Sequence, residues 1–272
     1  MAITISNAFI TGYERDVHEA YQRRGAKLRK TVRHAEGVVG STHVFQKAGK
    51  GVATTKSRHG QITPMNVSHT NATATLADSY AGDWVDKLDL DKLNIDERRV
   101  ITNAGAFALG RKVDADIITV MDSTTTTNTT TTTMTLTKVL AAHATLGGND
   151  VFEMGRMYAI VPYTEWNDLL QIQQFASADF VTDLPFLEGH EAKRWMGTIW
   201  MPHTGLDTLV SGSVAKSFWY HEDAIGHAQG SEITADFDWY GDRAAWFVNN
   251  MMSQGAVLID TNGVIEIQTT RP

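Results

Sequence analysis

Apolar residues recur at Val100, Ala104, Phe107 and Ala108, then at Val113, Ile117, Val120 and Met121, through a proline-free stretch from Asn94 to Met121. Arg98, Arg99, Arg111, Lys112, Asp114 and Asp116 interrupt them at spacings that leave a polar face, the pattern of an amphipathic helix. Asn94 or Asp96 can cap its start, and Asp96 and Glu97 put negative charge at the positive end of the helix dipole. At about 1.5 Å per residue the helix would run roughly 40 Å, which requires something to lie along it. Gly105 and Gly110 each cost up to about 1 kcal/mol of helix propensity, so they suggest close approach of a neighbouring backbone.

The rest of the chain alternates irregularly between helical and extended patterns, which makes the architecture α+β. Tyr13 to His34 reads as a helix rich in Arg and Lys with a narrow apolar edge of Val17, Ala20, Tyr21, Ala26 and Leu28, an arm that needs another surface to be stable. Gly37 to Thr75 reads as a two-stranded excursion with a mobile tip near Ala48-Gly49-Lys50-Gly51. Leu76, Tyr80, Trp84 and Val85 can anchor its return, and an isolated hairpin is marginal in water, so it should lie on a neighbour. The threonine-rich tract Ser123 to Thr137 cannot build a packed core and reads as an exposed loop or edge segment. Leu136 to Leu146 reads as a short helix stopped by Gly147 and Gly148. Arg156 to Pro162 reads as a buried strand, followed by a helix capped by Thr164. Lys193 to Pro202 and Ala215 to His221 read as strands, with His221 to Gln229 as a short helix. Ala244 to Asn249 and Gly255 to Ile259 read as two more strands, and Asn262-Gly263 signals a hairpin into Val264 to Ile267.

The 272 residues, 42% of them hydrophobic, can bury a substantial core of one or two domains. With no cysteine there is neither a disulfide framework nor a thiolate metal site. The first residues lack a charged region followed by an apolar run, and no window approaches a membrane span, so use without crossing a membrane is expected. Charge is unevenly spread: Tyr13 to Gly60 holds eleven Lys and Arg against four acids, a local +7, leaving −14 on the remainder of a chain whose net charge is −7. A basic leading segment on an acidic body can grip sister subunits, face nucleic acid, or be a solvated face with no partner.

Candidate chemistry changes this little. There is no GxGxxG after a strand, no GxxxxGK[ST] and no GxSxG elbow. His221-Glu222-Asp223 with His227 is the densest histidine cluster, but on a helix the two histidines face apart, and no HExxH is completed. Asp114 with Asp116, and Asp236 with Asp238, are read as solvent-facing pairs, and the seven tryptophans as core and subunit-contact residues. No cofactor, metal or catalytic residue is assigned; an enzyme is not expected.

Asp96-Glu-Arg-Arg-Val-Ile running into Ala108-Leu-Gly-Arg-Lys-Val-Asp-Ala-Asp-Ile-Ile118, and Ser217-Phe-Trp-Tyr-His-Glu-Asp-Ala-Ile-Gly226, resemble the major capsid proteins of tailed bacteriophages with the Hong Kong 97 (Johnson) fold. The resemblance implies an N-terminal arm (1–43), an extended β-hairpin loop (44–82), a peripheral domain with its spine helix (83–134 and 242–272) and an axial domain (135–241). It implies subunits that self-assemble into hexamers and pentamers of an icosahedral shell around packaged double-stranded DNA, the DNA held by non-specific contact. Scaffold, portal and decoration proteins become candidate partners, and the implied location is the virion, assembled in the host bacterial cytoplasm. Arg15, Arg23, Arg24, Lys27, Arg29, Lys47, Lys50, Arg58, Trp84, Arg98 and Arg111 are the subunit-interface candidates. Two alternatives stay open: an encapsulin-like compartment of the same fold, and a soluble β-rich tail-associated binding protein.

Overall fold

A computed structural model of the protein describes residues 25–88, 97–129, 132–176 and 192–271. The expected long helix is α1 (Glu97–Asp122), while its predicted start at Asn94 or Asp96 lies outside the described residues. Leu109, Val113, Ile117, Ile118 and Met121 are buried along it, which bears out the C-terminal part of the apolar stripe. Nearer the N-terminus the buried row is displaced by one: Ala104 is exposed and Gly105 is buried. A Cβ on Gly105 would lie 2.2 Å from Asn250 Nδ2 and 3.2 Å from the Ala81 carbonyl oxygen, so the glycine admits the close approach that its helix-propensity cost suggested. Asp114, expected in solvent, is fully buried.

The chain divides into two compact units, one grouping Asp78–Arg111 with Glu232–Met252, the other Ala26–Ala77, Lys112–Ser231 and Ser253–Pro272. The larger unit contains a six-stranded sheet in the order β5-β12-β9-β6-β8-β7. These strands are β5 (Thr127–Asn128), β6 (Met157–Val161), β7 (Lys193–Trp195), β8 (Thr198–Pro202), β9 (Val214–His221) and β12 (Val264–Thr270). Pairing is mixed: β6 runs parallel to β8 and β12 to β5, while β9 is antiparallel to both β6 and β12. The core packs Val139, Ala142 and Leu146 of α2 (Leu136–Gly148), and Trp166 and Leu169 of α3 (Tyr163–Gln171), with Met157, Ala159 and Val161 of β6. Phe175, of the four-residue α4 (Gln173–Ala176), continues an aromatic chain through Trp195 and Trp200 to Trp219, with ring centroids 5.0–5.8 Å apart.

A second sheet has the order β1-β10-β11-β4, from β1 (Arg33–Ala35), β4 (Ala77–Asp86), β10 (Ile225–Tyr240) and β11 (Ala245–Leu258). The expected hairpin is β2 (Thr42–Ala48) against β3 (His69–Thr75), antiparallel from Thr42↔Thr75 to Ala48↔His69. Its tip is not at Ala48 to Gly51, where pairing merely ends. Twenty further residues follow, with a turn closed by the Gly60 N–H donating to the Ser57 carbonyl.

Several sequence expectations are corrected. His221 to Gln229 is a three-residue 3-10 turn (Glu222–Ala224) leading into β10, because Gly226 and Gly230 weaken a helix and the next residues follow a period of two. Ala244 to Asn249 and Gly255 to Ile259 are parts of one strand, β11. Asn262-Gly263 does not make a hairpin: β11 and β12 lie in different sheets, and Thr261–Gly263 is a 3-10 turn capped by Asp260, which accepts from the Asn262 N–H. Thr164 does not cap α3; its hydroxyl donates to Glu165 Oε2 at 2.6 Å. Gly147 and Gly148 lie inside α2, not beyond it. The threonine tract supplies the edge strand β5, but Thr124 is buried and its hydroxyl donates to the Val264 carbonyl at 3.0 Å. Of the basic helix expected from Tyr13 to His34, residues 1–24 lie outside the described residues. The remainder is a 3-10 turn (Arg29–Thr31) and β1, since pairing with β10 outweighs local helix preference.

Candidate assembly surfaces

Lys27 and Leu28, where the basic segment joins the larger unit, are fastened by a buried acid. Asp114 accepts the backbone N–H of Lys27 at 3.1 Å and of Leu28 at 3.0 Å. His203 Nε2 lies 3.1 Å from the same carboxyl, and its Nδ1 accepts the Gly205 N–H, so Nε2 carries the hydrogen and donates to Asp114. Leu28 is fully buried beside it. Thr31 donates to the Leu28 carbonyl and meets the buried Tyr220 hydroxyl at 2.5 Å; burial pushes that phenol well above its usual pKa.

Beyond this anchor, β1 is held to β10 by two stacked imidazoles. Gln254 Nε2 donates to Asp116 Oδ2 at 3.2 Å, so its Oε1 accepts from His227 Nε2 at 2.9 Å. His227 Nδ1 then accepts from His34 Nδ1 at 2.9 Å, and His34 Nε2 accepts from Arg29 Nη2 at 3.2 Å. Each ring nitrogen thus has one role while both rings are neutral. Glu36 lies 3.2 Å from His34 Nε2 and 3.6 Å from Arg29 Nη2. Burial holds both histidines below their ordinary pKa, with the Arg29 charge also depressing His34. The unfolded chain therefore binds more protons, so this contribution to stability is present above about pH 6.5 and is lost as pH falls below it. Urea titrations at pH 8 and pH 5 are expected to show a loss on acidification that is smaller in His227→Gln; equal losses in both chains would contradict it.

The hairpin is pinned near the end of its ladder. Lys47 Nζ pairs with Asp260 at 2.7 Å and Lys50 Nζ with Asp150 at 2.8 Å, and the lysine holds the Asp150 carboxyl below its usual pKa. Asp150, Glu153, His221, Asp223 and Asp260 line an open cleft of about 290 Å³. Its acids are already neutralised in part, since Arg156 reaches Glu153, Glu222 and Asp223. His221 caps the Glu222–Ala224 turn, and among the described residues no group of three His, Asp or Glu side chains is arranged to hold a metal ion. Past Lys50 the hairpin is bare: residues 51–59 and 61–66 are all exposed, with Val52 at 73% and Ile62 at 76%.

The smaller unit displays aromatics between cations. Trp84, 38% exposed, lies against Phe247 and Tyr240 with the Arg243 guanidinium 4.4 Å over its ring. Arg98 covers Trp246 at the same distance.

The predicted interface residues therefore do not converge on one site. Arg15, Arg23 and Arg24 lie outside the described residues. Lys27 and Arg29 flank the Asp114 anchor, Lys47 and Lys50 pin the hairpin, and Arg58 is exposed beyond it. Trp84, Arg98 and Arg111 belong to the smaller unit, Arg111 half-buried on α1. Sequence reasoning missed Asp114, His203, His34 and His227. For Asp114 a signal existed: Gly110, Ile117 and Ile118, at i−4, i+3 and i+4, share its helix face and are buried.

The mixed sheet, long helix and extended hairpin define a shell-subunit architecture, and the sequence agrees: the phage capsid protein family profile matches residues 5–271, and the chain belongs to that family. It is a structural major capsid protein of a phage virion, not an enzyme. Its fold is similar to the capsid structure of the cyanophage P-SCSP1u, at 14% identity with a TM-score of 0.76, over 100% of this chain and 96% of that one. Mycobacterium phage Che8 gives 17% identity and 0.74, over 95% and 97%. The capsid of a native GTA particle gives 11% and 0.71, over 98% and 97%. No curated protein sequence matches the chain.

Proposed function

We propose that identical copies form hexamers and pentamers of a closed icosahedral shell around double-stranded DNA, assembled in the host bacterial cytoplasm. Residues 1–43 serve as an arm, 44–82 as a loop that overlies a neighbour, 83–134 with 242–272 as the peripheral domain, and 135–241 as the axial domain. The basic arm grips sister subunits, neutralises DNA charge, or both, and scaffold, portal and decoration proteins meet the finished surface. The observation that carries this is the bare hairpin end. A chain that holds out Val52, Ile62 and Met65 from an otherwise acid-free segment has apolar area to bury and no described part of itself to bury it on. Closure then multiplies many modest contacts into a tough shell.

The test is negative-stain microscopy of the purified protein beside a chain whose residues 51–66 are replaced by a short Gly-Ser link. The full chain is expected to form closed particles and the shortened one to stay as folded, unassembled subunits. A full chain that stays monomeric, or a shortened one that closes normally, would overturn the proposal.

A further inference from the structure

The arm strand β1 meets β10 over three residues, Arg33↔Gly226, His34↔His227 and Ala35↔Ala228, and the hydrogen-bonded imidazoles form the middle rung. Across the 2.9 Å between the two Nδ1 atoms there is room for one hydrogen, which His34 supplies while both rings are neutral. The remaining ring acceptor, His34 Nε2, receives the Arg29 N–H. A proton arriving at His34 Nε2 turns that acceptor into a donor. The ring then repels Arg29 and turns to the Glu36 carboxylate, whose Oε1 already lies 3.2 Å away. A proton arriving at His227 Nδ1 instead sets N–H against N–H, and the two rings must part. Around the pair, α1 presents Asp116, salt-bridged to Lys112 at 2.6 Å, and β11 presents the uncharged Gln254. Asp116 favours a proton on His227 and Arg29 opposes it.

What leans on this rung extends to the hairpin. Three residues past β1 the Val38 N–H donates to the Gln229 carbonyl, and the Ser41 carbonyl accepts the Leu76 N–H at the base of the hairpin. Ala35 and Val38 then pack with Phe45, Ala74 and Leu76 of the hairpin root as one cluster against Ala228. The floor under that root is made of glycines. A Cβ on Gly226 would lie 2.6 Å from the Phe45 ring, one on Gly230 2.7 Å from Leu76 Cδ2, and one on Gly255 2.2 Å from the Thr75 carbonyl oxygen. The root therefore rests on strand backbone, a fit that tolerates little displacement. Moving Ala35 and Val38 takes away one wall of the cluster that keeps it there.

We propose that the His34–His227 pair is a proton-operated latch for both the arm strand and the hairpin: on acidification His34 exchanges Arg29 for Glu36, β1 leaves β10, and the hairpin root loosens from its glycine floor. The device lies within one subunit and is independent of the shell reading above. It is a local opening, with the six-stranded sheet still folded. Burial opposes a proton on either ring, so the latch stays closed at neutral pH and opens below about pH 6.5.

The test is backbone hydrogen exchange of the full chain, read by mass spectrometry between pH 8 and pH 5, with labelling times scaled to the chemical exchange rate at each pH. Peptides covering β1 and those covering β2 and β3 are expected to lose protection together, about ten-fold or more, while β6 keeps its own to within about three-fold. In H34Q/H227Q the pH dependence of both sets is expected to vanish. Glu36→Gln tests the exchange without touching the buried rung, since the Glu36 side chain is 72% exposed. Removing the acceptor makes His34 harder to protonate, so the opening midpoint is expected to fall by about half a pH unit. Four results overturn the proposal: unchanged protection of β1 in wild type, opening of β1 with the hairpin still closed, equal loss in β6, or a Glu36→Gln midpoint at or above that of wild type. A folded H34Q/H227Q chain that opens like wild type does the same, and if that chain does not fold, the Glu36→Gln midpoint decides.

Discussion

Asp114→Ala is expected to cost about 4 kcal/mol of subunit stability, a large share of the roughly 5–15 kcal/mol that holds a domain folded. The substitution removes one acceptor and strands three donors, the N–H groups of Lys27 and Leu28 and the His203 Nε2–H, where Asp114 and His203 have no exposed surface. An unsatisfied buried donor costs about 1–3 kcal/mol, and relief from burying the carboxyl returns part of the sum. Asp114→Asn keeps one oxygen but turns an NH₂ towards donors, so an intermediate loss of about 2 kcal/mol is expected. Urea unfolding of unassembled subunits reads both. An alanine chain within about 1 kcal/mol of wild type would mean that the arm's root is held elsewhere.

Trp219→Ala is expected to cost a similar 3–5 kcal/mol by a different route, a cavity in the core. Trp219 has no exposed surface and packs edge-on to Trp200, with ring centroids 5.0 Å apart, and against Phe152 at 6.3 Å. Its indole N–H donates to the Thr198 hydroxyl at 3.0 Å. Trp219→Phe keeps most of the volume and loses the hydrogen bond, so a loss of about 1–2 kcal/mol is expected. Because Trp200 and Trp219 touch, removing both should cost less than the two single losses added together. Denaturant titration followed by near-ultraviolet circular dichroism reports both the stability and the loss of aromatic packing. A Trp219→Ala chain that unfolds at the wild-type midpoint would remove the aromatic chain from the centre of this core.

Local rules served where one element satisfied its own pattern. The spacing from Val113 to Met121 marks the face that α1 buries, and the apolar run at Met157–Val161 is the buried strand β6. They failed where a partner distant in sequence decided the outcome. Arg33–Ala35 leaves a helical pattern because the β10 edge accepts it as a strand. The Asn262-Gly263 signal is overruled because β12 finds its ladder on β9, not on the strand before it.

By itself the sequence determined the long helix, the two-stranded excursion, the separation of a basic leading segment from an acidic body, and the stretches whose resemblance pointed to a capsid subunit. All of these depend on residues near one another along the chain, where periodicity and charge can be read directly. Only the tertiary structure decided that Asp114 is a buried anchor, that His34 and His227 share a hydrogen bond, and that Arg33–Ala35 joins β10 as a strand. Those depend on which distant groups meet, and a polar residue between apolar neighbours reads the same in sequence whether it faces water or three converging donors.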